Sequence, residues 1–228
     1  MCIINMGCEL EGCHNTKQTD SLFRTDGSLE FDFDHTDDCY YDGELRCEGN
    51  CSYEYVGEMI SKPLPISELL IWIKKNYPVY HNKSCGGHIH LSFKNKLEYM
   101  KFCDVKFYNF FKAKMKEWGI KNHIKAGSQF YKRLAGNNTY CHDKFYCTQQ
   151  IHNNGDRYCI LNYCWRKHRT IEVRLLPIFD KMELYLSAVN EIYDIFNMWL
   201  IQSKREKRFS LNTKIYTKSN KENKIICV

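Results

Sequence analysis

Apolar and polar positions alternate along some stretches of this chain and recur at three- and four-residue spacing along others. Residues 2–13 mix apolar and acidic side chains around Gly7 and predict a strand that bears two carboxylates. A polar connection runs from there to Asp26. Residues 28–33 and 52–63 predict two more strands, paired antiparallel in the simplest arrangement. The acidic, cysteine-containing loop between them has Asp37, Asp38, Asp42 and Gly43 as turn residues. Leu69, Leu70, Ile73 and Tyr77 recur at helical spacing between Pro65 and Pro78, which predicts a short amphipathic helix over 66–77.

Strand character returns over 86–93, and 97–118 predicts one longer helix that buries Met100, Cys103, Phe107, Phe110, Phe111 and Met115. The aromatic stripe of Phe102, Phe107, Tyr108, Phe110 and Phe111 reads as helix core. Residues 121–154 are polar and rich in Asn and Tyr, and predict long loops with short helices. Two strands over 158–165 and 169–176 and, after Pro177, a helix from 181 to about 203 complete the pattern. Most connections are too short for parallel crossovers. The expected fold is therefore α+β, a curved, mostly antiparallel sheet backed by helices.

At 228 residues with 43% hydrophobic side chains, the chain can build one substantial core, and residues 1–203 read as a single domain. No run approaches the roughly 18–20 apolar residues of a membrane span, and no signal-peptide pattern opens the chain. A soluble, cytoplasmic protein with no membrane partner is expected. The 13 cysteines are odd in number and irregularly spaced, and Cys8, Cys159 and Cys164 fall in apolar strand patterns, so buried reduced thiols are expected. The net charge of +6 raises the question of nucleic acid, but much of the excess lies in 204–228. That segment reads as a basic, solvated and partly disordered tail, which argues against nucleic acid as a partner. The sequence leaves the oligomeric state open.

Three polar pairs change this picture. Residues two apart on a strand share a face, so Glu9 and Glu11 present two carboxylates side by side. Like charges at that distance repel unless cations sit between them. His88 and His90 repeat the spacing, with Ser92 on the same face and Gly86 and Gly87 allowing a ligand close to the backbone. Glu172 and Arg174 repeat it again, while Ile171, Val173 and Leu175 take the opposite face. Carboxylates with an imidazole and few thiolates suit magnesium or manganese rather than tetrahedral zinc. An arginine beside them supplies a fork for phosphate or carboxylate. Metal plus arginine is what phosphoryl transfer requires, and no Walker-type glycine loop is present.

In chain order the elements are Gly7-Cys8-Glu9-Leu10-Glu11, Asp26-Gly27-Ser28, Gly57-Glu58-Met59-Ile60-Ser61-Lys62-Pro63, Gly87-His88-Ile89-His90 and Glu172-Val173-Arg174. This order resembles the amidoligases, carboxylate–amine ligases that share the fold of glutamine synthetase and glutamate–cysteine ligase. The resemblance extends from the first strand to about Pro177. It implies a glutamine synthetase-like catalytic fold, with ATP and Mg2+, or Mn2+, as cofactors. Small-molecule or peptide carboxylates and amines would be the substrates, joined through an acyl phosphate. Glu9, His88 and Glu172 would hold the metal at the terminal phosphate, and Glu11 and Glu58 the second, with Asp26 a further ligand. His90 and Ser92 would lie beside the nucleotide, and Arg174 would stabilise the transferred phosphoryl group. Arg157 and Arg133 are further candidates for phosphate or substrate contacts. The loop holding Cys39, Cys47 and Cys51 has no counterpart in the family.

Two other classes compete. One is a non-catalytic nucleic-acid or protein binding module on the same fold; the other is a metal-dependent hydrolase or nuclease using the same acidic cluster. His14, His123, His142 and His168 are isolated and read as surface or hydrogen-bonded histidines. The 132–150 stretch reads as a cover for the site, as a binding loop for the amine, or equally as a poorly constrained loop.

Overall fold

A computed structural model describes residues 3–14, 22–24, 38–41, 44–47, 52–53, 55–146 and 157–222. In chain order the first elements are β1 (Ile3–His14), β2 (Leu22–Arg24), β3 (Asp38–Tyr41), β4 (Glu44–Cys47), β5 (Ser52–Tyr53), β6 (Tyr55–Ile60) and α1 (Ile66–Asn76). There follow β7 (Gly86–Phe93), α2 (Lys96–Met100), α3 (Val105–Lys121), α4 (Gln129–Leu134), β8 (Leu161–Cys164), α5 (Trp165–His168), β9 (Thr170–Pro177) and α6 (Met182–Glu222). The class is α+β. An open six-stranded sheet in the order β2-β6-β1-β7-β9-β8 has every neighbouring pair antiparallel. A second sheet of three strands, β3-β4-β5, is also antiparallel.

Several elements depart from the expected pattern. The polar connection after β1 contains the short strand β2, which pairs with β6. The expected 28–33 strand lies outside the described residues, and the loop that follows it contributes β3 and β4. The single helix expected over 97–118 is two, because polar caps restart the chain: Asn95 accepts a hydrogen bond from the Glu98 amide and Asp104 from the Lys106 amide. Met100, placed on the expected buried face, is accordingly exposed, whereas Phe107, Phe111 and Met115 are buried. The last helix continues past Ser203 to Glu222. Among the described residues no helix is long and apolar enough to cross a membrane.

The sheet has one oily face. Leu10 of β1, Ile89 and Leu91 of β7, and Ile171 and Val173 of β9 share a core with Leu69 and Ile73 of α1, Phe107 and Phe111 of α3, and Val189, Ile192 and Phe196 of α6. Phe196 lies at the centre of the aromatic part, with ring centroids 4.9 Å from Phe102 and 4.8 Å from Phe107. Gly87 is required here for close approach: a Cβ on it would lie 2.1 Å from the Tyr185 hydroxyl of α6. The glycine pair of β7, expected to admit a ligand, instead admits Tyr185 at Gly87 and the guanidinium of Arg133 at Gly86.

Candidate functional site

Strand alternation sends the polar partners of those core residues to the other face, and antiparallel register sets them side by side. Glu11 stands opposite Glu58 on β6, Glu9 opposite His88 on β7, and His90 opposite Glu172 on β9. Between Gly87 and Ile89 the β7–β9 register shifts by one, so Arg174 and Leu175 together oppose His88. Such a bulge re-aims a side chain. All these polar residues line one cleft of about 1310 Å3, together with Ser92, Arg133, Arg157, Tyr158 and Asn162. That exceeds the roughly 300–1,000 Å3 typical of small-molecule sites.

His88 sits at the centre. Its Nδ1 is 3.1 Å from Glu9 Oε2 and 3.6 Å from Glu172 Oε1, and its Nε2 is 3.6 Å from Glu11 Oε1. His90 Nε2 lies 3.2 Å from Glu9 Oε1, off the line of a hydrogen bond, and its Nδ1 is 3.4 Å from Thr170 Oγ1. Arg174 Nη1 donates to Glu172 Oε1. The guanidinium of Arg174 also faces the Tyr158 ring at 5.3 Å, and that of Arg157 faces the same ring at 4.7 Å.

Electrostatics keep Glu9 and Glu172 ionised in spite of burial. Desolvation would raise the Glu9 carboxyl, but the His88 hydrogen bond and the two nearby imidazoles outweigh it and hold the group far below its usual range. Burial likewise opposes ionisation of Glu172, and the Arg174 charge, aided by both imidazoles, holds it low. His90 is shifted the other way: burial favours the neutral ring, yet the adjacent Glu9 carboxylate and the Glu172 charge raise its proton affinity.

Two groups of side chains have donor atoms within 4.8 Å of one another, Glu9 with His90 and Glu172, and Glu9 with Glu58 and His88. The resemblance had grouped Glu9, His88 and Glu172 against Glu11 and Glu58. In the fold the imidazoles are distributed differently and Glu9 belongs to both groups, because it lies between β6 and β7. Glu11 stands apart: its Oε2 accepts the Gly86 amide, and Arg133 is close by. Asp26 lies outside the described residues.

Each group offers carboxylate oxygens and one imidazole, which suits a hard divalent cation. The nearest thiol does not compete, since burial and then the Glu172 charge push Cys164 up to about 12, and Cys164 Sγ contacts Glu172 Oε2 at 3.8 Å. The buried Nε atoms of Arg133 and Arg174 lack a hydrogen-bond partner.

Other expected contacts are already engaged. Ser92 Oγ accepts the Asn5 amide at 3.1 Å and donates to the Asn5 carbonyl at 2.7 Å, which ties β7 to β1. Arg133 is 1% exposed and donates to the Arg174 and Cys85 carbonyls at 3.3 and 3.2 Å, anchoring α4 against the ends of β9 and β7. Arg157 is exposed at the rim and its Nη2 donates to the Tyr158 hydroxyl at 2.6 Å. His14 is buried, with Nε2 3.2 Å from the Leu10 carbonyl. His168, by contrast, joins the cleft wall, its ring centroid 6.3 Å from that of His90. Sequence reasoning missed Asn162, whose Nδ2 donates to Glu172 Oε2 at 2.7 Å, and Tyr158 beneath the arginines. No protein-family model, curated protein or solved structure matches the chain.

Proposed function

We propose that the chain is an ATP- and magnesium-dependent carboxylate–amine ligase of the glutamine synthetase-like amidoligase type, forming an amide through an acyl phosphate. One observation carries the reading: Glu9, Glu58, His88, His90, Glu172 and Arg174, scattered over four strands, line a single cleft. The open antiparallel sheet is consistent with the curved sheet of such ligases. In this reading Glu9, His90 and Glu172 hold one cation and Glu9, Glu58 and His88 the other. Bound magnesium would neutralise the triphosphate and the carboxylate drawn together in the cleft.

The remaining roles follow from the chain's own groups. Arg174, fixed by Glu172 and the Tyr158 ring and lining the cleft, would supply guanidinium charge and the free part of its fork to the phosphoryl group as it transfers. Activation is needed because a free carboxylate would have to expel oxide; phosphorylation converts that oxygen into a leaving group. The amine nitrogen then attacks the acyl carbon, the carbon–oxygen bond to phosphate breaks, and the amine's surplus proton is lost to water.

The diagnostic experiment supplies carboxylates labelled with heavy oxygen, a panel of amines, ATP and magnesium. The reading expects amide formation with one labelled oxygen transferred into inorganic phosphate. Phosphate released without label, or phosphodiester cleavage in place of ATP turnover, would replace it with a hydrolase.

A further inference from the structure

At one edge of the sheet that floors the cleft lies β8, to which no chemistry has yet been given. Its register places Asn162 directly beside Glu172, and Asn162 and Cys164 both line the cleft. Asn162 Nδ2 donates to Glu172 Oε2 at 2.7 Å, while Arg174 Nη1 takes Oε1. The two carboxylate oxygens are thus held by different donors, Oε1 by Arg174 and Oε2 by Asn162, with the weak Cys164 thiol donor also 3.8 Å from Oε2.

That division matters because a guanidinium prefers to bind both oxygens of a carboxylate with two parallel N–H bonds. Without the Asn162 amide, only the weak Cys164 thiol would oppose a turn of Glu172 about its terminal torsion that gives both oxygens to Arg174. It would then withdraw from Glu9 and His90, with which its donor atom now lies within 4.8 Å. A neutral amide can oppose this swing without bringing a second positive charge to a cation site.

We infer that Asn162 is a positioning residue that fixes the rotation of the Glu172 carboxylate, and so keeps Glu172 available as the third ligand of the Glu9–His90–Glu172 group for a hard divalent cation. The inference rests on the cleft being the metal-dependent site proposed above. Hydrogen bonds to ligating carboxylates change metal affinity by roughly 10- to 100-fold.

The test uses Mn2+ alone as the probe, titrated into the full chain and followed by the electron paramagnetic resonance of the free ion. Wild type is compared with Asn162→Ala and with Asn162→Leu, which keeps the side-chain shape. Each substitution is repeated in a Glu172→Gln background, and circular dichroism melting checks folding. Both single variants should bind Mn2+ about tenfold more weakly or worse. In the Glu172→Gln background they should cause no further loss, because the group to be oriented is no longer a carboxylate. A general packing role would lower affinity by the same factor in both backgrounds, and that result overturns the inference. So does unchanged Mn2+ affinity in the folded Asn162 variants while Glu172→Gln weakens binding, an outcome that leaves the ligase reading standing. Failure of the wild type to bind Mn2+ would remove the ligase reading and the positioning role with it.

Discussion

On one face of the central sheet Ile89, Leu91, Ile171 and Val173 share a core with Phe102, Phe107 and Phe196. One residue over on the same strands, His88, His90, Glu172 and Arg174 stand against Glu9 and Glu11. Both faces are largely closed to water, but they hold together differently. The oily face gains from burial and dispersion and needs nothing added. The polar face gathers acids that remain ionised only because imidazoles and a guanidinium offset the cost of burial. Stability therefore resides mainly on one side of the sheet and the proposed chemistry on the other, and substitutions on the two sides should separate the two properties.

The largest expected effect lies on the oily side. Phe196→Ala should cost about 3–5 kcal/mol of unfolding free energy, measured by denaturant titration, with activity per folded molecule little changed. On the polar side, Arg174→Lys keeps the charge but loses the fork, and should lower turnover by about a hundredfold with a far smaller loss of stability. Equal effects of these two substitutions on stability would break the contrast.

Acid should probe the boundary between the faces. Burial outweighs the hydrogen bonds of His14 to backbone carbonyls and lowers its pKa to about 4 from 6.5. The unfolded chain therefore takes up a proton between those values before the folded chain does. The stability contributed by neutral His14 is full above pH 6.5 and is lost as pH falls towards 4, by on the order of 3 kcal/mol. Glu9 and Glu172, both held low in the folded state, add a further loss below their ordinary value of 4.5. A His14→Gln variant should flatten the first limb and spare the second, as read from unfolding midpoints across pH. The smallest effect belongs to neither face: Asp104→Ala removes the cap of α3 and should cost about 1 kcal/mol.

The two faces were legible in the sequence to different depths. Alternation placed β7 at residues 86–93, as observed, and correctly divided Ile171, Val173 and Leu175 from Glu172 and Arg174. Period alone identifies which residues share a face, so the members of the site could be named. It does not say which residue faces which across strands. The pairing of Glu9 with His88 and of His90 with Glu172 depends on inter-strand register and on the bulge at Arg174, and the expected ligand groups were accordingly redistributed. Asn162 went unnoticed because an asparagine two residues before a cysteine carries no signal until β8 is set beside β9. The caps Asn95 and Asp104 went unread because the continuous apolar pattern around them masked the break. Strand β2 is only three residues long, too short for alternation to register.

The central claim is that the polar face is a two-cation site hinged on Glu9, and it is tested most directly by counting Mn2+ bound per chain at equilibrium dialysis in the presence of a non-hydrolysable ATP analogue. Wild type should bind two ions, Glu58→Gln should weaken one, and Glu9→Gln should weaken both, because Glu9 belongs to both ligand groups. Undiminished binding in Glu9→Gln, or no bound Mn2+ in the wild type, would contradict the account.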